Sequence, residues 1–230
     1  MPRDVGVVVV AAGRSVRLRG DTPKQFRPIA GVPMVLRALR PFAAHPDVGH
    51  VVLVLPPDAA AAPPEFLRSL GSGLTVVAGG AARAESVAAG LSALDPRCVT
   101  VLVHDAARPF VERAVIDAVI AHARAGEGAV AAVRVSDTVK EAATDDPSRV
   151  GRTVPRDGLW RAQTPQGFPR TVLERAHREA GAEHAAATDD AALVERLGVP
   201  VRLVPDSPRN LKITTADDLA LAELLAREDG

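Results

Sequence analysis

Apolar residues in this chain fall into short unbroken runs, with stretches of helical spacing between them. Residues 7–10 are four consecutive valines and residues 51–55 form another continuous apolar run, while 74–77, 99–103 and 129–135 read as three further strands, each largely apolar with one polar residue. A run without polar alternation fits a strand covered on both faces, as inside a parallel sheet. Between the runs, residues 32–44 place Val35, Leu36, Leu39 and Phe42 at helical spacing with Pro33 near the start, where proline suits a helix. The Ala- and Pro-rich residues 56–64 break the pattern, and 65–70 read as a short helix. Further helices are predicted after Gly79-Gly80, running to about Leu94, and over residues 111–125. This strand–loop–helix rhythm predicts an α/β fold, a Rossmann-like and mostly parallel sheet with helices on both faces.

The rhythm breaks after residue 135. Residues 138–141 and 152–154 alternate with period two around the turn-rich segment 144–148, the pattern of an antiparallel hairpin. This hairpin has little apolar surface of its own and must pack against something or remain a solvated arm. A partner subunit is the economical choice. Trp160 closes this region. Helices over 171–180 and 188–197 flank Gly181, a strand covers 201–204, and a last helix starts at Thr215 with Asp218 three residues on, a capping-box spacing. Leu219, Leu221, Leu224 and Leu225 form its apolar face. With no internal repeat and no long linker, the expectation is a single domain over 1–230 with a protruding dimerisation arm at 136–160.

Composition narrows the function classes. Of the residues, 47% are hydrophobic but only 3% aromatic, so the core must be built from Val, Leu and Ala. Lys and Arg (28) balance Asp and Glu (28), giving no general attraction for nucleic acid or membranes. Local cationic loops matter more than the total. The single Cys98 excludes an internal disulfide framework and a multi-cysteine metal site. The apolar run at the N-terminus is too short for a signal peptide or a membrane span, so a soluble, cytoplasmic protein is expected.

Ligands of open α/β sheets bind beyond the carboxyl ends of the strands, so the loops after Val10, Val77 and Val103 should converge. The first opens with Ala11, Ala12 and Gly13, then Arg14, Arg17, Arg19 and Lys24. Small residues that admit close backbone approach, followed by cations, suit a polyphosphate. A tight turn carrying solvated arginines is the alternative. Asp105 stands just past an apolar strand, where a carboxylate can hold Mg²⁺, cap the next helix or pair with Arg108. Arg17, Lys24 and Lys212 are the candidate cations. Each alone could be solvated; together with a metal they make a phosphoryl-transfer site. Neither a Walker A pattern nor Gly-x-Gly-x-x-Gly occurs, which weighs against a P-loop ATPase and a dinucleotide oxidoreductase.

Several motifs in order resemble the 2-C-methyl-D-erythritol 4-phosphate cytidylyltransferase family. They are Ala-Ala-Gly with Pro-Lys-Gln (11–25), Gly-Gly-x-x-Arg-x-x-Ser-Val (79–87), His-Asp-Ala-Ala-Arg-Pro (104–109) and Asp-Thr-Val-Lys (137–140). Arg-Asp-Gly-Leu-Trp (156–160), Gln-Thr-Pro-Gln (163–166), Thr-Asp-Asp (188–190) and Asn-Leu-Lys-Ile-Thr (210–214) complete the set. The resemblance implies a fold of the nucleotide-diphospho-sugar transferase type and transfer of CMP from CTP to a polyol phosphate. It implies that Arg17 and Lys24 bind the triphosphate and stabilise developing charge, with Lys212 beside them. Asp105 would hold Mg²⁺ next to the nucleotide, and Ala11, Ala12, Gly13, Gly80 and Ser86 would line the nucleotide pocket. Arg108, Thr138, Arg156 and Thr164 would hold the polyol phosphate, Thr138 and Arg156 from an arm reaching into the neighbouring subunit of a homodimer.

The chain departs from the family pattern at Ser15, where a second glycine is usual, and at Ala81, where relatives can carry aspartate. Three other readings share parts of this pattern: a ribitol-5-phosphate cytidylyltransferase, a sugar-1-phosphate nucleotidyltransferase and a catalytically silent nucleotide-binding dimer. The length leads us to expect the monofunctional form.

Overall fold

The valine run becomes strand β1 (Val5–Val10), in a seven-stranded sheet where neighbours cover both of its edges. The computed structural model describes residues 3–13, 22–180 and 187–228; Arg14, Ser15, Arg17, Arg19 and Gly181 lie outside the described residues. After β1 come a short hairpin, β2 (Pro28–Ile29) and β3 (Val32–Pro33), and then helix α1 (Met34–Ala43). The helix thus starts two residues later than its spacing predicts, because Val32 and Pro33 pair with β2. Strand β4 (Val48–Leu55) leads into helix α2 (Pro57–Ala61), which forms inside the segment expected only to break the chain. Proline at the first helical position has no N–H to leave unsatisfied, so it starts this turn instead of preventing it. A 3₁₀ helix (Glu65–Gly73) follows, kinked at Gly71 where φ is 76°.

Strand β5 (Leu74–Ala78), helix α3 (Arg83–Ala93), strand β6 (Thr100–Asp105), helix α4 (Arg113–Arg124) and strand β7 (Gly128–Arg134) continue the expected rhythm. Strand β6 includes His104 and Asp105, so the carboxylate closes the strand and does not begin the loop. Strands β8 (Val139–Ala142) and β9 (Val150–Val154) pair antiparallel in a separate two-stranded sheet with mostly exposed side chains. The next element, strand β10 (Trp160–Pro169), carries no hydrophobic run and was not expected. Helices α5 (Arg170–Glu179) and α6 (Asp190–Glu195), strand β11 (Val201–Pro205) and helix α7 (Ala216–Glu228) complete the chain. Helix α7 has the predicted cap: Thr215 Oγ1 accepts from the Asp218 N–H at 3.2 Å, and Asp218 Oδ2 accepts from the Thr215 N–H at 2.8 Å.

The strand order is β11-β7-β10-β6-β1-β4-β5. All pairings are parallel except those of β10, which runs antiparallel to both β6 and β7. Successive side chains of a strand face opposite ways, which sorts the core into two layers. Val7 and Val9 pack with Val35 and Leu39 of α1 and Ile116 and Val119 of α4. Val8 packs on the other face with Val87 and Leu91 of α3, Leu173 of α5 and Val194 of α6. A third cluster, Ile29, Met34, Ile213 and Ala222, fixes α7 to the β2–β3 hairpin. No helix among the described residues is long and apolar enough to cross a membrane.

Helix α3 lies close enough to the sheet that only glycine fits at position 90. A Cβ there would overlap Val8 Cγ1 and stand 3.1 Å from Val54 Cγ2, both on stiff β-branched side chains. Gly90→Ala is expected to lower stability by about 1–3 kcal/mol despite the better helix propensity of alanine. Urea unfolding checks this; a gain in stability would mean that α3 shifts freely on the sheet.

Candidate active site

The carboxyl ends of β1, β5 and β6 open into one cleft of about 830 Å³. Backbone bonds bring the loops together: Ala11 N–H donates to the Val54 carbonyl, Gly79 N–H to Leu55, and Ala106 N–H to Val10. Small residues form much of the wall, Ala11, Ala12 and Gly13 from the first loop and Gly79 and Gly80 from the second. Gly79 admits no side chain, since a Cβ would lie 2.7 Å from Ser86 Oγ. The second loop is held from behind by Glu85, whose Oε2 accepts from the N–H groups of Ala81 (2.7 Å) and Ala82 (3.3 Å). Both donors are thereby engaged within the loop. Ser86 lines the pocket with its hydroxyl donating to the Ala82 carbonyl at 3.2 Å.

Asp105 lies on the floor, 7% exposed. Its Oδ2 accepts from Lys212 Nζ at 2.7 Å, and its Oδ1 stands 3.4 Å from Arg83 Nε. Burial alone would raise the pKa of this carboxyl, but the positive charges of Arg83 and Lys212 outweigh it and hold Asp105 well below the usual carboxylate range. Lys24 lines the same cleft from a short 3₁₀ turn, Lys24–Phe26. Lys212 comes from far along the chain. The Ile213 N–H donates to the Ala107 carbonyl at 2.9 Å, and Arg108 Nη1 donates to the Asn210 carbonyl at 2.7 Å. These two bonds seat residues 210–213 beside the loop that follows β6.

A buried polar layer underlies Asp105. The Asp105 N–H donates to Thr164 Oγ1 at 3.0 Å, and that hydroxyl lies 3.0 Å from His104 Nδ1. His104 Nε2 is 2.9 Å from the Arg108 carbonyl, an acceptor only, so the ring proton is on Nε2 and Nδ1 accepts from Thr164. Burial pushes the His104 pKa down to about 4. Asn210 Nδ2 donates to the Thr164 carbonyl (2.9 Å) and to Asp206 Oδ2 (2.6 Å), and Gln163 Nε2 donates to the Asn210 carbonyl (2.9 Å). Strand β10 is therefore a polar wall, with Gln163, Thr164 and Gln166 all buried.

Of the residues singled out from sequence, the fold brings Ala11, Ala12, Gly13, Lys24, Gly80, Ser86, Asp105 and Lys212 to the cleft. Arg108 and Thr164 are buried beneath it, bonded to backbone and to the His104 ring. Thr138 and Arg156 sit on and beside the exposed hairpin and do not line the cleft; Arg156 Nη1 donates to the Ser136 carbonyl. Arg17 lies outside the described residues. The sequence reading missed Arg83 as a site residue, together with Asp190 and His177 behind it, although Arg83 and Asp190 both stand inside the quoted motifs. Asp105 suits a metal that takes few protein ligands: it is ionised, and each oxygen retains a lone pair beyond its present partner. Among the described residues, no group of three or more His, Cys, Asp or Glu side chains could hold a metal unaided.

The family model of 2-C-methyl-D-erythritol 4-phosphate cytidylyltransferase matches residues 5–228. The chain belongs to this family. It is 49% identical to the protein of that name from Salinibacter ruber over 223 residues, covering 96% of this chain and 92% of the relative. It is 44% identical over 236 residues to the one from Streptomyces coelicolor, covering 98% and 86%. The crystal structure of the protein of that name from Thermus thermophilus superposes with a TM-score of 0.82 at 38% identity, covering 97% of this chain and 99% of that one.

The buried ring under Asp105 gives a pH signature. A free histidine takes a proton near pH 6.5, whereas His104 resists protonation down to about pH 4, so the unfolded chain binds the extra proton in this window. Stability is thus complete above about pH 6.5 and falls as pH drops towards 4, by up to about 3 kcal/mol from this group. His104→Gln, which retains a donor for the Arg108 carbonyl, should show a shallower loss in urea unfolding between these pH values. An equal loss in both proteins would assign the effect to other groups.

Proposed function

We propose that this protein transfers CMP from CTP to 2-C-methyl-D-erythritol 4-phosphate, giving the diphosphocytidyl product and pyrophosphate in non-mevalonate isoprenoid precursor synthesis. The observation that carries the reading is the cleft in which Lys24, Lys212 and the ionised Asp105 converge beside a small-residue wall. Membership of the family names the substrates that this charge pattern suits.

A phosphate oxygen of the polyol phosphate attacks the α-phosphorus of CTP in line with the leaving group. A new P–O bond forms as the bond to the β-phosphate bridging oxygen breaks, and pyrophosphate departs with that electron pair. The monoester is already anionic at neutral pH, so no general base is needed. The difficulty is to bring two polyanions together, which calls for cations placed where charge develops. Lys24 supplies one at the mouth of the cleft, Arg17 a second by family similarity, and Lys212 a third on the floor. Asp105 would hold Mg²⁺, which when bound neutralises phosphate charge. The small walls along residues 11–13 and 79–80 admit the base and ribose next to the backbone. Thr138 and Arg156 are exposed and away from this cleft, which supports their acting on the polyol phosphate in a neighbouring subunit of a homodimer. Arg156 would clamp the phosphate with two parallel bonds, which lysine replaces poorly. A cytoplasmic location fits such substrates.

Pyrophosphate release with CTP and Mg²⁺ tests the reading, with 2-C-methyl-D-erythritol 4-phosphate compared against D-ribitol 5-phosphate. Turnover with the first alone is expected. Turnover with the second alone would retain the chemistry and change the substrate, and silence with both would sink the proposal. Lys24→Ala should lower kcat by about 10²–10³-fold while CTP binding weakens less than about tenfold. Equal losses would make Lys24 a ground-state binder only.

A further inference from the structure

Asp105 shares one of its two cations with a second, deeper carboxylate. Arg83 projects from the first turn of α3, and its guanidinium stands between the two. Nη1 donates to Asp190 Oδ2 at 2.7 Å, while Nε lies 3.4 Å from Asp105 Oδ1. The first is a short charge-assisted bond and the second is near the limit of one. The guanidinium is committed to Asp190 and only leans towards Asp105.

Asp190 is 1% exposed, so its charge must be balanced by neighbours and not by water. Its other oxygen accepts from His177 Nε2 at 2.9 Å. Its backbone is pinned as well: Gln166 Oε1 accepts from the N–H groups of Asp190 (3.1 Å) and Ala191 (3.0 Å), and Gln166 Nε2 donates to Asp189 Oδ2 at 3.0 Å. Strand β10 and helices α5 and α6 thus converge on a buried carboxylate that the reaction described above does not use.

We propose that Asp190 is a positioning residue that draws the Arg83 guanidinium away from Asp105 and so leaves the Asp105 carboxylate able to take up Mg²⁺ with the nucleotide. The inference rests on the reading of Asp105 as the metal-holding group. Around the cleft floor Asp105 and Asp190 face Arg83 and Lys212 at bonding distance, and the buried Arg108 adds a weaker attraction to Asp105. Without the charge of Asp190, Arg83 has Asp105 as its remaining anion. A carboxylate clamped by both Arg83 and Lys212 at bonding distance has little net attraction for a third cation.

The full chain is titrated calorimetrically with CTP, in Mg²⁺ and in EDTA, with thermal unfolding of each variant alongside. The ratio of the two affinities isolates the metal's contribution without turnover. In Asp190→Asn, which preserves the shape of the side chain, that ratio should fall by about 10–100-fold with the EDTA affinity unchanged. Adding Arg83→Gln to that variant should restore it to within about threefold of wild type, an outcome that loss of folded structure cannot produce. Arg83→Gln alone should leave the ratio at or above the wild-type value, a readout that can still overturn the inference if Asp190→Asn does not fold. An unchanged ratio in a folded Asp190→Asn protein, a double variant worse than the single, or a lowered ratio in Arg83→Gln alone would overturn the inference. A wild-type affinity that ignores Mg²⁺ would remove the reading of Asp105 and this inference with it.

Discussion

An ionised carboxylate held out of bulk water must be surrounded by cations, and this condition at Asp105 organises the active end of the molecule. The chain meets it with Lys212 and Arg83, from segments on either side of the β6 loop in sequence. Each of these cations has to be positioned in turn. Lys212 depends on residues 210–213 being tied to Ala107 and Arg108, and Arg83 depends on the carboxylate at the start of α6. The local demand for charge balance therefore reaches through much of the C-terminal half of the fold.

The sheet makes this possible by being rigid where the site needs it. β1 and β6 run side by side in parallel, with Val10 opposite Asp105, so the small-residue loop and the carboxylate leave the sheet at the same level. β10 enters between β6 and β7 in the opposite direction. Its Thr164 hydroxyl takes the Asp105 N–H, and Gln166 takes the backbone of α6. In a sheet covered by apolar layers on both faces, β10 places the buried Gln163, Thr164 and Gln166 next to His104 and Asp105 of β6.

Much of this was legible beforehand, for identifiable reasons. Residues 7–10 and 51–55 became strands because an unbroken apolar run fits a strand with both faces buried, and the other three stretches became strands with one polar residue each. The capping box at Thr215 and Asp218 was readable because both partners lie within one turn. The loops at the strand ends were readable because small residues and cations after a buried strand have a narrow range of uses. Residues 160–169 misled for the opposite reason. They alternate neither apolar and polar residues nor run apolar, since their polar side chains are buried by partners that local sequence does not reveal. The helix at Pro57–Ala61 was missed because its prolines were read as breakers when they start the turn.

The sequence by itself determined most of the strands and helices, the identity of the loops that carry chemistry and, through ordered motifs, the family. Those properties depend on local periodicity and on residue types at fixed spacing. Only the tertiary structure decided which charges meet. Arg83 and Asp190 are separated by 107 residues, Arg108 and the Asn210 carbonyl by 102, and the Asp105 N–H and Thr164 by 59. Pairing across such distances follows from the path of the chain and the order of strands in the sheet. Local pattern does not encode that path: a buried ion pair is set by where two backbones pass each other, and a residue's neighbours in sequence carry no record of it.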